Sequence, residues 1–141
     1  MITIATKNDF KSILALYKQL WEKWDMFDEA KLKEIFENDL NTKRKEYLIA
    51  KVEDEGLGVC SVRINHDWHY ILTATIDELI VHKDHRGKGI GKQLIKKAFE
   101  YAKTKNCYRI ELHSNIRRTE AHDFYKGLGF DKSSYFFKKK L

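Results

Sequence analysis

The 141-residue sequence contains no proline. Helix ends in this chain must therefore be set by polar caps and glycines. No apolar run approaches the ~18 residues that a membrane span needs, so no spanning helix is expected. The only cysteines are Cys60 and Cys107. Two could form one disulfide, but the expected state is a pair of free thiols in a reducing, cytoplasmic setting. No basic flank with an apolar core opens Met1-Ile2-Thr3-Ile4-Ala5, so no signal peptide is expected. Repeats, low-complexity tracts and linkers are lacking as well, and residues 1–141 read as one domain.

Hydrophobic residues make up 43% of the chain and charged residues 34%, enough for one core under a well-solvated surface. The net charge of +6 points to an anionic partner without saying which. Helix-turn-helix, zinc and aromatic ribonucleoprotein patterns are all missing, so nucleic acid is not the expected partner. His66 with His69, and His82 with His85, are spaced three apart as some metal ligands are. Both pairs fall in turns or strand ends, with no supporting cysteine pair or HExxH helix, so no metal is expected.

Hydrophobic periodicity divides the chain into elements. Ile2–Ala5 reads as a strand. Asn8 or Asp9 caps a helix carrying Phe10, Ile13, Leu14, Tyr17, Leu20 and Trp21 on one face. Asp28 begins a second helix, with Leu32, Ile35, Phe36 and Leu40 in line. Strands follow at Tyr47–Val52 and Leu57–Ile64, separated by a turn at Glu55-Gly56. His66-Asp67 marks the next turn, and Tyr70–His82 is rich in β-formers. Gly89–Thr104 is a helix, Tyr108–His113 a strand and Thr119–Leu128 a helix closed by a left-handed Gly129. Tyr135–Lys138 reads as a last strand. The order βααβββαβαβ argues for an α/β (α+β) fold, a mixed sheet flanked by helices.

The strand Ile76–Val81 leads through His82-Lys83-Asp84-His85 into Arg86-Gly87-Lys88-Gly89-Ile90-Gly91-Lys92 and a helix. A helix start offers unpaired N–H groups and a partial positive charge, and glycines let an anion approach them. The dinucleotide fingerprint would need glycine at Lys92. The P-loop would need a Ser or Thr at Gln93 and a glycine at Arg86. Arg-x-x-Gly-x-Gly, formed by Arg86, Gly89 and Gly91, is what remains.

That loop resembles the acetyl-CoA loop of the GNAT (GCN5-related N-acetyltransferase) superfamily. The resemblance extends over about residues 70 to 130. It includes Ile76-Asp77-Glu78-Leu79-Ile80-Val81 before the loop and Glu111-Leu112-His113-Ser114-Asn115 after the helix. Ala121-His122-Asp123-Phe124-Tyr125 with Gly129-Phe130 is similar to the family's A-x-x-F-Y-x-x-x-G-F signature. Two positions depart from it: Arg118 stands where many members have asparagine, and Lys83 where many have proline. Leu16–Trp21 and Arg63–Asp67 also resemble aminoglycoside 6′-N-acetyltransferases over a few residues.

The resemblance implies a central sheet flanked by four helices and splayed between its fourth and fifth strands. It implies acetyl-CoA as co-substrate, an amine acceptor, and transfer without a covalent enzyme intermediate. The pyrophosphate falls to Arg86, Gly87, Lys88, Gly89, Ile90, Gly91 and Lys92. The pantetheine and thioester fall to Leu79, Ile80 and Val81, with Asn115 and Arg118 as further contacts and Tyr125 also against the carrier. Tyr125 matches the acid that protonates the departing thiolate. A lysine-like amine is protonated at neutral pH and needs a base. Asp77, Glu78 or a water could serve. Strand alternation sends the two carboxylates to opposite faces unless a bulge intervenes, and Glu78 is favoured. Trp21, Trp24, Phe27 and Trp68 are candidates for the acceptor wall. The acceptor is expected to be a small primary amine, with a protein lysine or N-terminus as the alternative. A silent acyl-CoA-binding protein or a basic nucleic-acid module would be a different class. Dimers are common in the family, which leaves a homodimer open.

Overall fold

The computed structural model describes residues 1–21, 27–66 and 71–141. Its strands are β1 (Ile2–Ile4), β2 (Lys45–Val52), β3 (Glu55–His66), β4 (Leu72–Val81) and β5 (Arg109–Leu112). Its helices are α1 (Phe10–Leu20), α2 (Glu29–Thr42), α3 (Ile90–Thr104) and α4 (Thr119–Gly127), with short 3-10 turns at Lys7–Asp9 and Lys83–His85. The five strands lie in sequence order in one sheet. Pairing is antiparallel from β1 to β4, and β5 runs parallel to β4. The expected mixed sheet with four helices is therefore present.

Alternation along the strands splits the core in two. Tyr47, Ile49, Val59 and Ile80 point to one face and meet Phe10, Ile13, Leu14 and Leu16 of α1 and Phe36 of α2. Leu48, Ala50, Cys60, Val62, Ala74 and Ile76 point to the other and meet Leu94, Ile95, Ala98 and Ala102 of α3. Caps set the helix starts. Asp28 Oδ1 accepts from the Lys31 N–H at 3.2 Å, as expected for the start of α2. Asp9 precedes α1 but turns its carboxylate back to the Thr6 N–H at 2.8 Å. Both cysteine thiols are free. Among the described residues, no helix is long and apolar enough to cross a membrane.

Several expectations need correction. The turn before β3 is Glu53-Asp54, so Glu55 and Gly56 belong to the strand. Leu20 and Ile35, assigned to buried helix faces, are 53% and 57% exposed. Leu20 is the last residue of α1, and Ile35 sits at the margin of the α2 stripe, beside the buried Phe36 and Asp39. The expected last strand, Tyr135–Lys138, is not formed. Its residues have strand-forming side chains, but a strand requires a backbone partner. Tyr135, Phe136 and Phe137 are 82%, 63% and 89% exposed. Phe136 instead lies against His113, with ring centroids 4.4 Å apart.

Candidate active site

The register of β4 prepares an opening in the sheet. Its pairing with β5 stops at Ile76 and Leu112. Asp77 to Val81 thus continue β4 with no β5 partner. On the other side, Glu78 N–H donates to Ser61 Oγ at 3.0 Å, and His82 N–H donates to the Leu57 carbonyl at 2.8 Å. Both groups face β3. Alternation then turns the N–H groups of Leu79 and Val81 toward the open edge. The fourth and fifth strands are splayed, as expected. Ser114, two residues beyond β5, has a buried hydroxyl with no hydrogen-bond partner. A buried polar atom left unpaired is costly unless something else satisfies it.

The open edge runs into the glycine loop. Gly87 has φ +77° and Gly89 φ +83°, and a Cβ at either would meet no atom within 4 Å. Their need is conformational, because other residues rarely adopt these angles. Gly89 is the N-cap of α3, and no side chain caps its N–H groups. Unpaired donors and the helix dipole together are the arrangement that favours an anion. Arg86 Nε donates to the Val81 carbonyl at 3.2 Å, and Lys83 N–H donates to Gln19 Oε1 at 3.0 Å. The loop is therefore fastened to β4 and to α1. Arg86, Lys88 and Lys92 supply positive charge around it. Gly91 lies against Val81 and Phe124, within ordinary contact of any added Cβ.

Asp77 and Glu78 do not point to opposite faces. The β3–β4 register shifts at Ser61/Val62, leaving Asp77 as the extra residue of a bulge. Both carboxylates consequently meet one ammonium. Lys45 Nζ is 3.1 Å from Asp77 Oδ2 and 3.6 Å from Glu78 Oε2. Arg63 holds Asp77 by two nitrogens, Nε to Oδ2 at 3.1 Å and Nη2 to Oδ1 at 3.0 Å. Burial works to raise the Asp77 pKa, but Arg63 and Lys45 override it and keep the group below the usual carboxylate range.

Glu78 accepts from Ser61 Oγ and from Tyr17 OH, the latter at 3.1 Å. Burial, then the Glu78 charge, push the Tyr17 pKa far up, so its proton stays available for that bond. Tyr17, Ser61, Lys45 and Arg63 were not named as site residues from sequence. They come from α1, β2 and β3, and only pairing brings Tyr47, Ser61 and Glu78 into one row across the sheet. Trp21 stands beside Tyr17 with centroids at 5.3 Å and stacks on Phe27 at 4.5 Å. Of these aromatics, Tyr17 reaches the Glu78 carboxylate. Trp24 and Trp68 lie outside the described residues.

Tyr125 approaches from the other face. Its neighbours Leu128 and Phe130 pack into the α3 side of the core, and its ring meets those of Phe124 and Phe130 at 5.4 and 5.9 Å. Burial pushes the Tyr125 phenol up, against an opposing pull from Arg118. It is therefore protonated at neutral pH. The Asn115 amide is partly committed: its Oδ1 accepts from the Arg117 N–H at 2.9 Å. Arg118 begins α4 without a side-chain cap and is exposed. His82 Nδ1 accepts from the Asp84 N–H at 3.2 Å, which gives this histidine a turn-forming role. Burial pushes the Cys60 thiol up to about 12, far from a nucleophile at neutral pH.

A mixed sheet whose last, parallel strand pair parts beyond Ile76 and Leu112, with an uncapped helix start at the mouth of that opening, defines the class of fold. The chain belongs to the acetyltransferase (GNAT) family, whose model matches residues 13–130. It is an acetyltransferase. Over 138 residues it is 31% identical to the aminoalkylphosphonate N-acetyltransferase of Salmonella typhimurium, covering 97% of this chain and 88% of that protein. It is also 31% identical to an uncharacterised N-acetyltransferase of Methanocaldococcus jannaschii, over 90% of this chain but only 58% of that longer protein. Among solved structures, a transcriptional regulator from Bacillus halodurans superposes with a TM-score of 0.87 at 26% identity, covering 100% of this chain and 99% of that one.

Proposed function

We propose that the protein transfers the acetyl group of acetyl-CoA directly to a primary amine of a small molecule, in a cytosolic setting. The observation that carries this reading is the continuity of the open β4 edge with the uncapped start of α3. A thioester carrier is a long polar arm ending in phosphates, and this edge offers amides first and an anion site last. The amides of Leu79 and Val81, with Ile80 between them and the Ser114 hydroxyl opposite, suit the arm. The amides and charges from Arg86 to Lys92 suit the pyrophosphate. Arg118 and the free end of Asn115 flank the same mouth.

Glu78 takes the proton of the acceptor ammonium, directly or through a water, and the amine then attacks the thioester carbonyl. The Leu79 N–H faces the oxygen on which negative charge develops. Collapse of the intermediate breaks the C–S bond, Tyr125 donates its proton to the thiolate, and the second proton lost by the nitrogen passes to water, from which Tyr125 is reprotonated. Base and acid stand on opposite faces of the open edge, which suits an acceptor entering from one side and a carrier held from the other. The strongly paired Asp77 serves as counter-ion. The Salmonella relative acts on a small amine, which favours that acceptor class over a protein lysine or N-terminus.

Thermal unfolding with acetyl-CoA, and separately with nucleic acid, tests the first step. Ligand at 100 times its Kd adds about 2.7 kcal/mol of stability. A rise with acetyl-CoA followed by thiol release on adding small amines is expected. No rise with acetyl-CoA removes the reading.

A further inference from the structure

Four charged side chains beside the open edge alternate in sign. The chain runs from Arg63 to Asp77 at 3.0 Å, from Asp77 to Lys45 at 3.1 Å and from Lys45 to Glu78 at 3.6 Å. The first two links are within hydrogen-bond reach. The last is not, and it ends on the group read above as the base. Each of the three Arg63 nitrogens has a partner, because its Nη1 also donates to Asn65 Oδ1 at 2.7 Å. Lys45 has three donors, and Asp77 occupies one at close range. The Lys45 and Glu78 side chains are 19% and 30% exposed, so a small solute can reach both charges.

Resting on the acetyl-transfer reading with Glu78 as base, we propose that the acceptor is a small zwitterion. Its ammonium meets Glu78, and its carboxylate, phosphate or phosphonate meets Lys45. An acceptor must bring its ammonium to Glu78 before losing a proton. A plain cation there stands against the Lys45 ammonium in a half-buried place, where like charges repel more strongly than in water. A zwitterion laid across the 3.6 Å Lys45–Glu78 pair closes a ring of alternating sign: Lys45, acceptor anion, acceptor ammonium, Glu78. Each charge then has only opposite neighbours. The fixed Arg63–Asp77 pair holds Lys45 at the place where the acceptor's anion arrives.

The test uses thiol release from acetyl-CoA with four acceptors of similar size: β-alanine, 2-aminoethyl phosphate, propylamine and 1,3-diaminopropane. The two zwitterions are expected to have kcat/KM values about tenfold or more above the others, the scale of one charge-assisted contact. Lys45→Met should raise KM for the zwitterions and lower it for propylamine, while Lys45→Arg should retain the zwitterion preference. Equal or better use of the diamine by the wild-type protein overturns the proposal, and so does a Lys45→Met effect equal for all acceptors. The wild-type ranking decides the matter even if Lys45→Met fails to fold. Acetyl-CoA binding without thiol release for any amine overturns the acetyl-transfer reading itself, and the proposal with it.

Discussion

Asp77 and Glu78 share one ammonium, yet their surroundings give them different work. Asp77 is gripped by Arg63 and Lys45, and these cations override burial to keep its pKa low. A depressed carboxylate contributes stability above its unfolded pKa and loses it as pH falls through the folded value. Asp77→Asn should therefore lower Tm most near neutral pH, and the gap to wild type should close below about pH 4. Melting curves at several pH values check this, and a gap unchanged at low pH would assign the effect to packing. Tyr125 has the opposite tuning. Burial raises its pKa, so the proton is present at neutral pH but bound more tightly than in water. Tyr125→Phe should lower kcat about 100-fold, within the usual range for a general acid, and spare acetyl-CoA affinity. Unchanged turnover would remove Tyr125 as the proton donor.

At the scale of elements, legibility followed periodicity. Helix α3 was readable to within one residue because Leu94, Ile95, Ala98 and Ala102 repeat at helical spacing and all four are buried. The left-handed Gly129, at φ +92°, was readable for a similarly local reason. The left-handed glycines of the loop before α3 were legible because their pattern is local too. The bulge at Asp77 was only a stated alternative, because it depends on how β4 meets β3. Lys45 carried no signal and Arg63 only a short resemblance, since their meaning comes from partners on other strands. The tail misled for the converse reason: Tyr135, Phe136 and Phe137 have the composition of a strand without its pairing. Helix ends also defied the expectation from a chain without proline. Helix α2 ends on Lys43, a non-glycine residue at φ +54°. Lys43→Gly should relieve that strain and add about 1 kcal/mol, read as a higher denaturant midpoint at unchanged slope. A lower midpoint would show that the Lys43 side chain contributes more than its backbone strain costs.

At the scale of the whole molecule, the site depends on how closely helix α3 approaches the sheet. The approach is made at Gly58 of β3. A Cβ there would come within 2.9 Å of Leu94 Cδ1, 3.0 Å of the Ile80 carbonyl oxygen and 3.1 Å of Ile90 Cγ2. Leu94 is fully buried and has little room to turn. Ile80 belongs to the open half of β4, and Ile90 is the first residue of α3. One missing methyl group therefore sets the distance between the strand edge assigned to the carrier's arm and the helix start assigned to its phosphates. Gly58→Ala should lower stability by about 1–3 kcal/mol, the usual cost of overpacking a filled core. It should also weaken acetyl-CoA binding, because the strain falls on Ile90 and moves the helix start away from Val81. Denaturant unfolding gives the first quantity, and acetyl-CoA titration of the folded variant gives the second. Full affinity in a destabilised variant would show that the loop is held by Arg86 and Gln19 rather than by the seating of the helix.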